Sequence, residues 1–269
     1  MDEQIVVVGA AGGIGSAIVR RALADDYTVF LIDRDAHKLQ TLAADLDPVR
    51  CRHEVADMLV AAELEQALAA AAAHLPIRAV VNAAGAGPEQ VATPIEVLES
   101  NLQSAARICE LSHSRLQPGG SVVLIGSVGS STARGDSDGE LRHPLDSGWS
   151  EAWAAREPDR WEAYYYAKRG VTLLGRRLAV EWGPSNRRIN VVAPVLVDTQ
   201  LGQSVIDDAE HGVAEMVAAI PLGRICSPDD VAAAVSFFVS DDAAFVTGVE
   251  IRVDGGSTAA GLHARNVES

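Results

Sequence analysis

Short runs of β-branched and apolar residues alternate with longer stretches of helical periodicity from the start of the chain. Ile5–Val8, Thr28–Ile32, Ala79–Val81, Ser121–Ile125, Ile189–Val192 and Val249–Val253 read as strands, and Ala61–Ala73 as an alanine-rich helix. Such alternation predicts βαβ units and a parallel sheet. The strands are near-continuously apolar rather than in-out alternating, so helices should cover both faces. The expectation is an α/β fold, one doubly wound parallel sheet of about seven strands spanning residues 1–269, with no internal repeat and no linker dividing it.

One stretch breaks the rhythm. Residues 135–163 are polar and acidic, with eight Asp or Glu against Arg142, Arg156 and Arg160, yet they hold Trp149, Trp153 and Trp161. Three of the chain's four tryptophans in a polar insertion imply a segment that packs on something, since a free linker has little use for them. The pattern reads as a loop and then a helix that starts near Ser147 or Ser150 and continues toward Tyr164.

Composition narrows the function classes. The chain has 269 residues, 48% hydrophobic and 22% charged, enough for a sizeable core. A formal charge of -15 repels phosphate backbones and anionic membranes, so neither nucleic acid nor a membrane is an expected partner. Cys51, Cys109 and Cys226 lie far apart, form no CxxC pair, and suggest neither disulfides nor a metal site. The acidic N-terminus and the lack of a long apolar run point to a soluble, cytoplasmic chain. Of 22 basic residues, only Lys38 and Lys168 are lysines.

The first strand runs into Gly9-Ala10-Ala11-Gly12-Gly13-Ile14-Gly15 and then a helical segment. Glycines here permit a positive-φ turn and bring the backbone close to a pyrophosphate at a helix N-terminus, where free N–H groups and the dipole favour negative charge. Asp33 ends the second strand 18 residues after Gly15, where a carboxylate meets the adenosine ribose hydroxyls. Its charge disfavours a 2′-phosphate and favours NAD. Arg34 beside it would accept that phosphate, so NADP stays the alternative.

Tyr164-Tyr165-Tyr166-Ala167-Lys168 opens a helical stretch that puts Tyr164 and Lys168 four apart on one face. In an arginine-rich chain, a lysine at this spacing points to a task for a compact ammonium. An ammonium near a phenol favours phenolate, so the expected Tyr164 pKa falls from about 10 toward neutrality, which suits a general acid/base.

Taken together, the motifs resemble the short-chain dehydrogenase/reductase family over about residues 4–258. Val8-Gly9 through Gly15 is similar to its TGxxxGxG loop, with Val8 where Thr is usual. Asn82-Ala83-Ala84-Gly85 resembles NNAG, with Ala83 for the second Asn. Asn101 falls at the family's helical Asn, Ser127 at its catalytic Ser, and Tyr164 with Lys168 at YxxxK. Ile189 through Pro194 resembles the segment before the family's PG, with Val195 replacing Gly. Val253-Asp254-Gly255-Gly256 fits the C-terminal signature.

The resemblance implies a Rossmann-type NAD(P)-binding domain with catalytic roles for Asn101, Ser127, Tyr164 and Lys168. Tyr164 would exchange a proton with the substrate oxygen, Ser127 would bond that oxygen, Lys168 would hold the nicotinamide ribose, and Asn101 would position a water toward Lys168. The cofactor contacts it implies are Gly9, Ala11, Gly13, Ile14, Asp33, Asn82, Ala84, Gly85, Tyr164, Lys168, Pro194, Val197 and Thr199. Asp57, with Met58 beside it, is expected at the adenine, and Glu54 is the alternative to Asp57.

The long insertion resembles the branch containing 3α-hydroxysteroid dehydrogenase/carbonyl reductase. With Leu196, Leu201, Val205, Ile206 and Met216 after Pro194, it points to a hydrophobic, steroid-like secondary alcohol or ketone. The family's habits imply a homodimer or homotetramer, with the insertion as lid or interface element. Two other functions compete. One is a non-catalytic NAD-binding sensor, against which the intact Asn101, Ser127, Tyr164, Lys168 set argues. The other is a sugar-nucleotide epimerase or dehydratase, whose usual C-terminal substrate domain is longer than the short tail after Gly256.

Overall fold

The computed structural model describes residues 3–131, 153, 156, 158–199, 202, 217, 218 and 220–261. Among them, seven parallel strands form one sheet: β1 Gln4–Val8, β2 Thr28–Asp33, β3 Cys51–Val55, β4 Ile77–Asn82, β5 Leu116–Ile125, β6 Arg188–Pro194 and β7 Glu250–Val253, in the order β3-β2-β1-β4-β5-β6-β7. The helices that the site depends on are α1 Gly13–Ala24, α2 Ala36–Ala44, α3 Ala61–His74, α4 Pro94–Leu98, α5 Ser104–His113, α6 Arg160–Trp182 and α7 Pro228–Val239.

Side chains alternate across a strand, so β1 feeds two cores at once. Val6 and Val8 join Leu64, Leu68, Ile108 and Leu174 on one face, where α3, α5 and α6 pack. Ile5 and Val7 join Ile18, Leu39, Val235 and Phe238 on the other, under α1, α2 and α7. The α/β expectation is met, with helices on both faces and seven strands. After β3 the chain crosses back to place β4 beside β1, so the order reverses at the β1–β4 boundary. The crevice outside the carboxyl ends of these two strands is where such sheets bind ligands.

Trp153 and Trp161 of the insertion are described, and Trp153 is fully buried in the first core, its ring 4.5 Å from that of Tyr166. Arg156 lies over the same indole at 4.6 Å. The helix carrying Tyr164 does not run on from Ser147 or Ser150, which lie outside the described residues. The chain is extended at Asp159, whose carboxylate accepts the Glu162 N–H at 2.7 Å and starts α6 afresh at Arg160. An Asp N-cap satisfies an N–H that a continuing helix would have bonded to its own carbonyl. Trp149, Leu201, Val205, Ile206 and Met216 also lie outside the described residues. The three cysteines are free and buried. Among the described residues, no group of His, Cys, Asp and Glu could hold a metal, and no helix is long and apolar enough to cross a membrane.

Candidate active site

The glycine loop and the end of β4 meet at the reversal point. Gly9 takes φ +79°, and a Cβ on it would fall 2.6 Å from the Ala84 nitrogen, so only glycine lets these loops touch. Asn82 is buried and its side-chain oxygen accepts the Ala84 N–H at 3.1 Å, shaping that second loop. The first turn of α1 has neither a side-chain cap nor an acidic residue. Its N–H groups face a site with their dipole uncompensated, and they fit a pyrophosphate.

Asp33 does more than the sequence suggested. Its carboxylate accepts the Ala11 N–H at 2.9 Å and the Asp35 N–H at 3.0 Å, fastening the glycine turn to the end of β2. Arg34 is exposed beside it. Ala56 bonds the Asp33 carbonyl at 3.1 Å, which puts Asp57 just past the strand end next to Asp33. Glu54 lies one pairing step back, opposite Ile32. Met58 and Ile14 each pack partly on a core cluster. Pro194 ends β6, Val197 is buried and bridged to Cys226, and the Thr199 methyl packs on Gly13. The Thr199 hydroxyl accepts the Gly202 N–H at 3.1 Å, which closes the turn after Val197.

On the other side of the crevice, Ser127 lies just past β5, and Tyr164 and Lys168 descend α6. The Ser127 hydroxyl lies beside the Tyr164 phenol and favours its ionised form. The Gly129 N–H also donates to Ser127 Oγ, at 3.1 Å, which orients that hydroxyl. Lys168 Nζ is buried, donates to the Ile125 carbonyl at 3.1 Å, and stands 5.5 Å from the Tyr164 ring centroid.

Asn101 sits in a wide turn over Glu99–Gln103, closed by the Ser104 N–H on the Glu99 carbonyl, a distortion frequent at functional sites. Its amide donates to the carbonyls of Ala86 at 2.8 Å and Val97 at 2.9 Å, which ties the turn to the loop after β4. Asn101 Oδ1 and Lys168 Nζ flank Gly85, where a Cβ would lie 2.7 Å from the first and 3.8 Å from the second.

The expected lowering of the Tyr164 pKa is corrected. Burial pushes the phenol above its ordinary value; the Ser127 hydroxyl pulls it back only in part. The Lys168 ammonium, 5.5 Å from the ring centroid, is itself desolvated, its pKa pulled down to about 8, and does not offset the burial of the phenol. Tyr164 therefore keeps its phenol proton at neutral pH, beside a second hydroxyl, where a carbonyl oxygen could accept from both. Sequence reasoning did not single out Gly129, the Ile125 carbonyl or the placement of Trp161. Only the last left a signal, its spacing of three from Tyr164.

A family model described as short chain dehydrogenase matches residues 3–135, and one described as Enoyl-(Acyl carrier protein) reductase matches residues 152–258. The chain is 30% identical over 270 residues to D-threitol dehydrogenase of Mycolicibacterium smegmatis, covering 96% of this chain and 94% of that protein. It is 30% identical over 273 residues to meso-2,3-butanediol dehydrogenase of Serratia marcescens, covering 96% and 95%. Among solved structures it is similar to the 3-alpha-hydroxysteroid dehydrogenase from Pseudomonas sp. B-0831 complexed with NADH, at 28% identity and TM-score 0.79, covering 97% of this chain and 98% of that one.

Proposed function

Because the chain belongs to the short-chain dehydrogenase/reductase family, an oxidoreductase family acting on CH–OH groups, we propose that it interconverts a secondary alcohol and its ketone with NAD as cofactor. The observation that carries this reading is the Tyr164–Ser127 hydroxyl pair at the end of β5, with the Lys168 ammonium buried behind the phenol ring. Nicotinamide dinucleotide, when bound, supplies the hydride chemistry that no side chain here offers. Gly9, Ala11, Gly13 and Ile14 would hold its pyrophosphate. Asp33 would hold the adenosine ribose, and Asp57 and Met58 would line the adenine. Asn82, Ala84, Gly85, Lys168, Pro194, Val197 and Thr199 would line the nicotinamide half.

In ketone reduction Tyr164 gives its proton to the carbonyl oxygen while Ser127 donates a hydrogen bond to the same atom as charge develops there. In the reverse direction the phenolate takes the alcohol proton. Lys168 fixes the ring from beneath and grips the ribose, and Asn101 anchors the turn that faces it. A panel of secondary alcohols with NAD and with NADP, followed by reduced-cofactor absorbance, tests the reading, and turnover of none of them would contradict it.

NAD is favoured over NADP by the Asp33 carboxylate, which would accept the ribose hydroxyls and repel a 2′-phosphate. Asp33→Ser is expected to weaken NAD binding about ten- to hundredfold and to raise the NADP/NAD ratio of kcat/KM, since exposed Arg34 remains to meet the phosphate. Calorimetry with each cofactor checks this. An unchanged ratio would remove Asp33 from the cofactor site.

Two substrate readings stand. The relatives named for threitol and 2,3-butanediol favour small diols and polyols, and the hydroxysteroid dehydrogenase structure favours a hydrophobic ring. Leu196, part of the hydrophobic expectation, is half-buried and packs on the second core. We also propose a homodimer or homotetramer, as the family resemblance implies. Light scattering at micromolar concentration is expected to give two or four times the mass of one chain, and a strict monomer would refute it.

A further inference from the structure

The helix face that carries Tyr164 and Lys168 carries a further aromatic group toward its N-terminus. Trp161, Tyr164 and Lys168 succeed one another at successive turns of α6, each turn about 5.4 Å along the axis. Lys168 reaches toward Gly85 and the end of β4, the side on which the proposed cofactor ribose lies. Trp161 stands on the opposite side of Tyr164.

Its indole meets the Tyr164 ring edge-on, centroids 6.3 Å apart at 77°, and lies 6.0 Å from the Tyr165 ring. Tyr165 in turn rests on Gly129, whose N–H holds Ser127. An aromatic surface thus borders the hydroxyl pair on the side away from the cofactor. Its position is fixed, because Asp159 caps the helix and Arg160 donates to the Val91 carbonyl at 3.0 Å.

We propose that Trp161 is a specificity-determining residue. With Tyr165 it forms a wall on which a cyclic, apolar secondary alcohol or ketone lays its ring while its oxygen bonds Ser127 and Tyr164. The inference rests on the alcohol–ketone reading above and settles its substrate class on the ring. A ring face of C–H groups gains contact and dispersion against an aromatic wall. An open-chain polyol presents no continuous C–H face to the two rings and gains less contact there.

The test compares Trp161→Ala and Trp161→Phe with the unaltered protein. Cyclohexanol and 2,3-butanediol serve as substrates, and 1-methylcyclohexanol as a ligand that lacks a carbinol hydrogen and cannot react. In Trp161→Ala, KM for cyclohexanol should rise about tenfold or more with kcat within about threefold, and Trp161→Phe should recover most of the loss. KM for 2,3-butanediol should move less than about threefold. Binding of 1-methylcyclohexanol to the NAD complex, read by calorimetry, should weaken in parallel with the cyclohexanol KM.

Equal losses for both substrates, or methylcyclohexanol binding that ignores the substitution, would overturn the wall and leave the alcohol–ketone reading standing. Methylcyclohexanol binding that falls as stated, in a protein that turns over no secondary alcohol, would support the wall and overturn that reading.

Discussion

Tyr164→Phe is expected to lower kcat in ketone reduction by about three to four orders of magnitude, the upper range for losing a positioned proton donor. Phenylalanine keeps the ring and its edge contact with Trp161 and removes only the hydroxyl beside Ser127. Cofactor affinity, measured by calorimetry, should stay within about threefold, because the proposed contacts at the glycine loop, Asp33, the loop after β4 and Lys168 all keep their groups. Residual activity within tenfold of the unaltered protein would mean that another group moves the proton. The raised phenol pKa adds a directional signature. Reduction needs the protonated phenol and should hold level through neutral pH. Oxidation needs the phenolate and should climb as pH rises toward and past the ordinary tyrosine value of 10.0.

Lys168→Met should separate activity from stability in opposite directions. Turnover is expected to fall at least about a hundredfold, since the proposed ribose grip and the support beneath Tyr164 would be lost together. The fold should nevertheless gain. Lys168 is only 6% exposed and its pKa falls from 10.5 to about 8, which corresponds to a burial cost of at most about 3 kcal/mol at neutral pH. Losing the bond to the Ile125 carbonyl gives back about 1 kcal/mol, leaving a net gain of roughly 1–2 kcal/mol.

The sign fixes the pH window. The unfolded lysine holds its proton up to about 10.4, whereas the folded one releases it from about 8. Between these values the unfolded chain binds more protons, so rising pH stabilises the unaltered protein relative to the variant. The advantage of Lys168→Met in thermal melts should therefore be full below pH 8 and fade toward pH 10.5. A variant less stable than the parent at both ends would contradict the cost assigned to this lysine.

Much of this architecture was legible because the strands are apolar on both faces. β1, β2, β4, β5 and β6 carry Val and Ile runs that only a covered parallel sheet explains. β3 was harder to read: Cys-Arg-His-Glu-Val pairs only with β2 at the sheet edge, and Arg52, His53 and Val55 are exposed. The start of α6 was misplaced although Asp159 stood three residues before Glu162, because the serines upstream offered competing caps.

Within the site, residues set by spacing came through, with Tyr164 and Lys168 on one face and Asp33 at the strand end. What depends on environment did not. The direction of the Tyr164 pKa is decided by burial and by where the Lys168 ammonium lies relative to the ring, and neither is a property of sequence spacing. The wide turn at Asn101 is a backbone distortion, and the Lys168 ammonium bonds a backbone carbonyl, that of Ile125, so the residue types at 99–103 and 125 carry no signal of either.

Label transfer from a secondary alcohol deuterated at its carbinol carbon tests the proposed hydride chemistry most directly. The protein is incubated with that alcohol and NAD, and the reduced cofactor is analysed by mass spectrometry. Each NADH should carry one deuterium, ketone should form in equal amount, and Tyr164→Phe should lose both. Unlabelled cofactor from every secondary alcohol tried, with NAD binding intact by calorimetry, would contradict the proposed hydride transfer and leave a dinucleotide-binding protein without this chemistry.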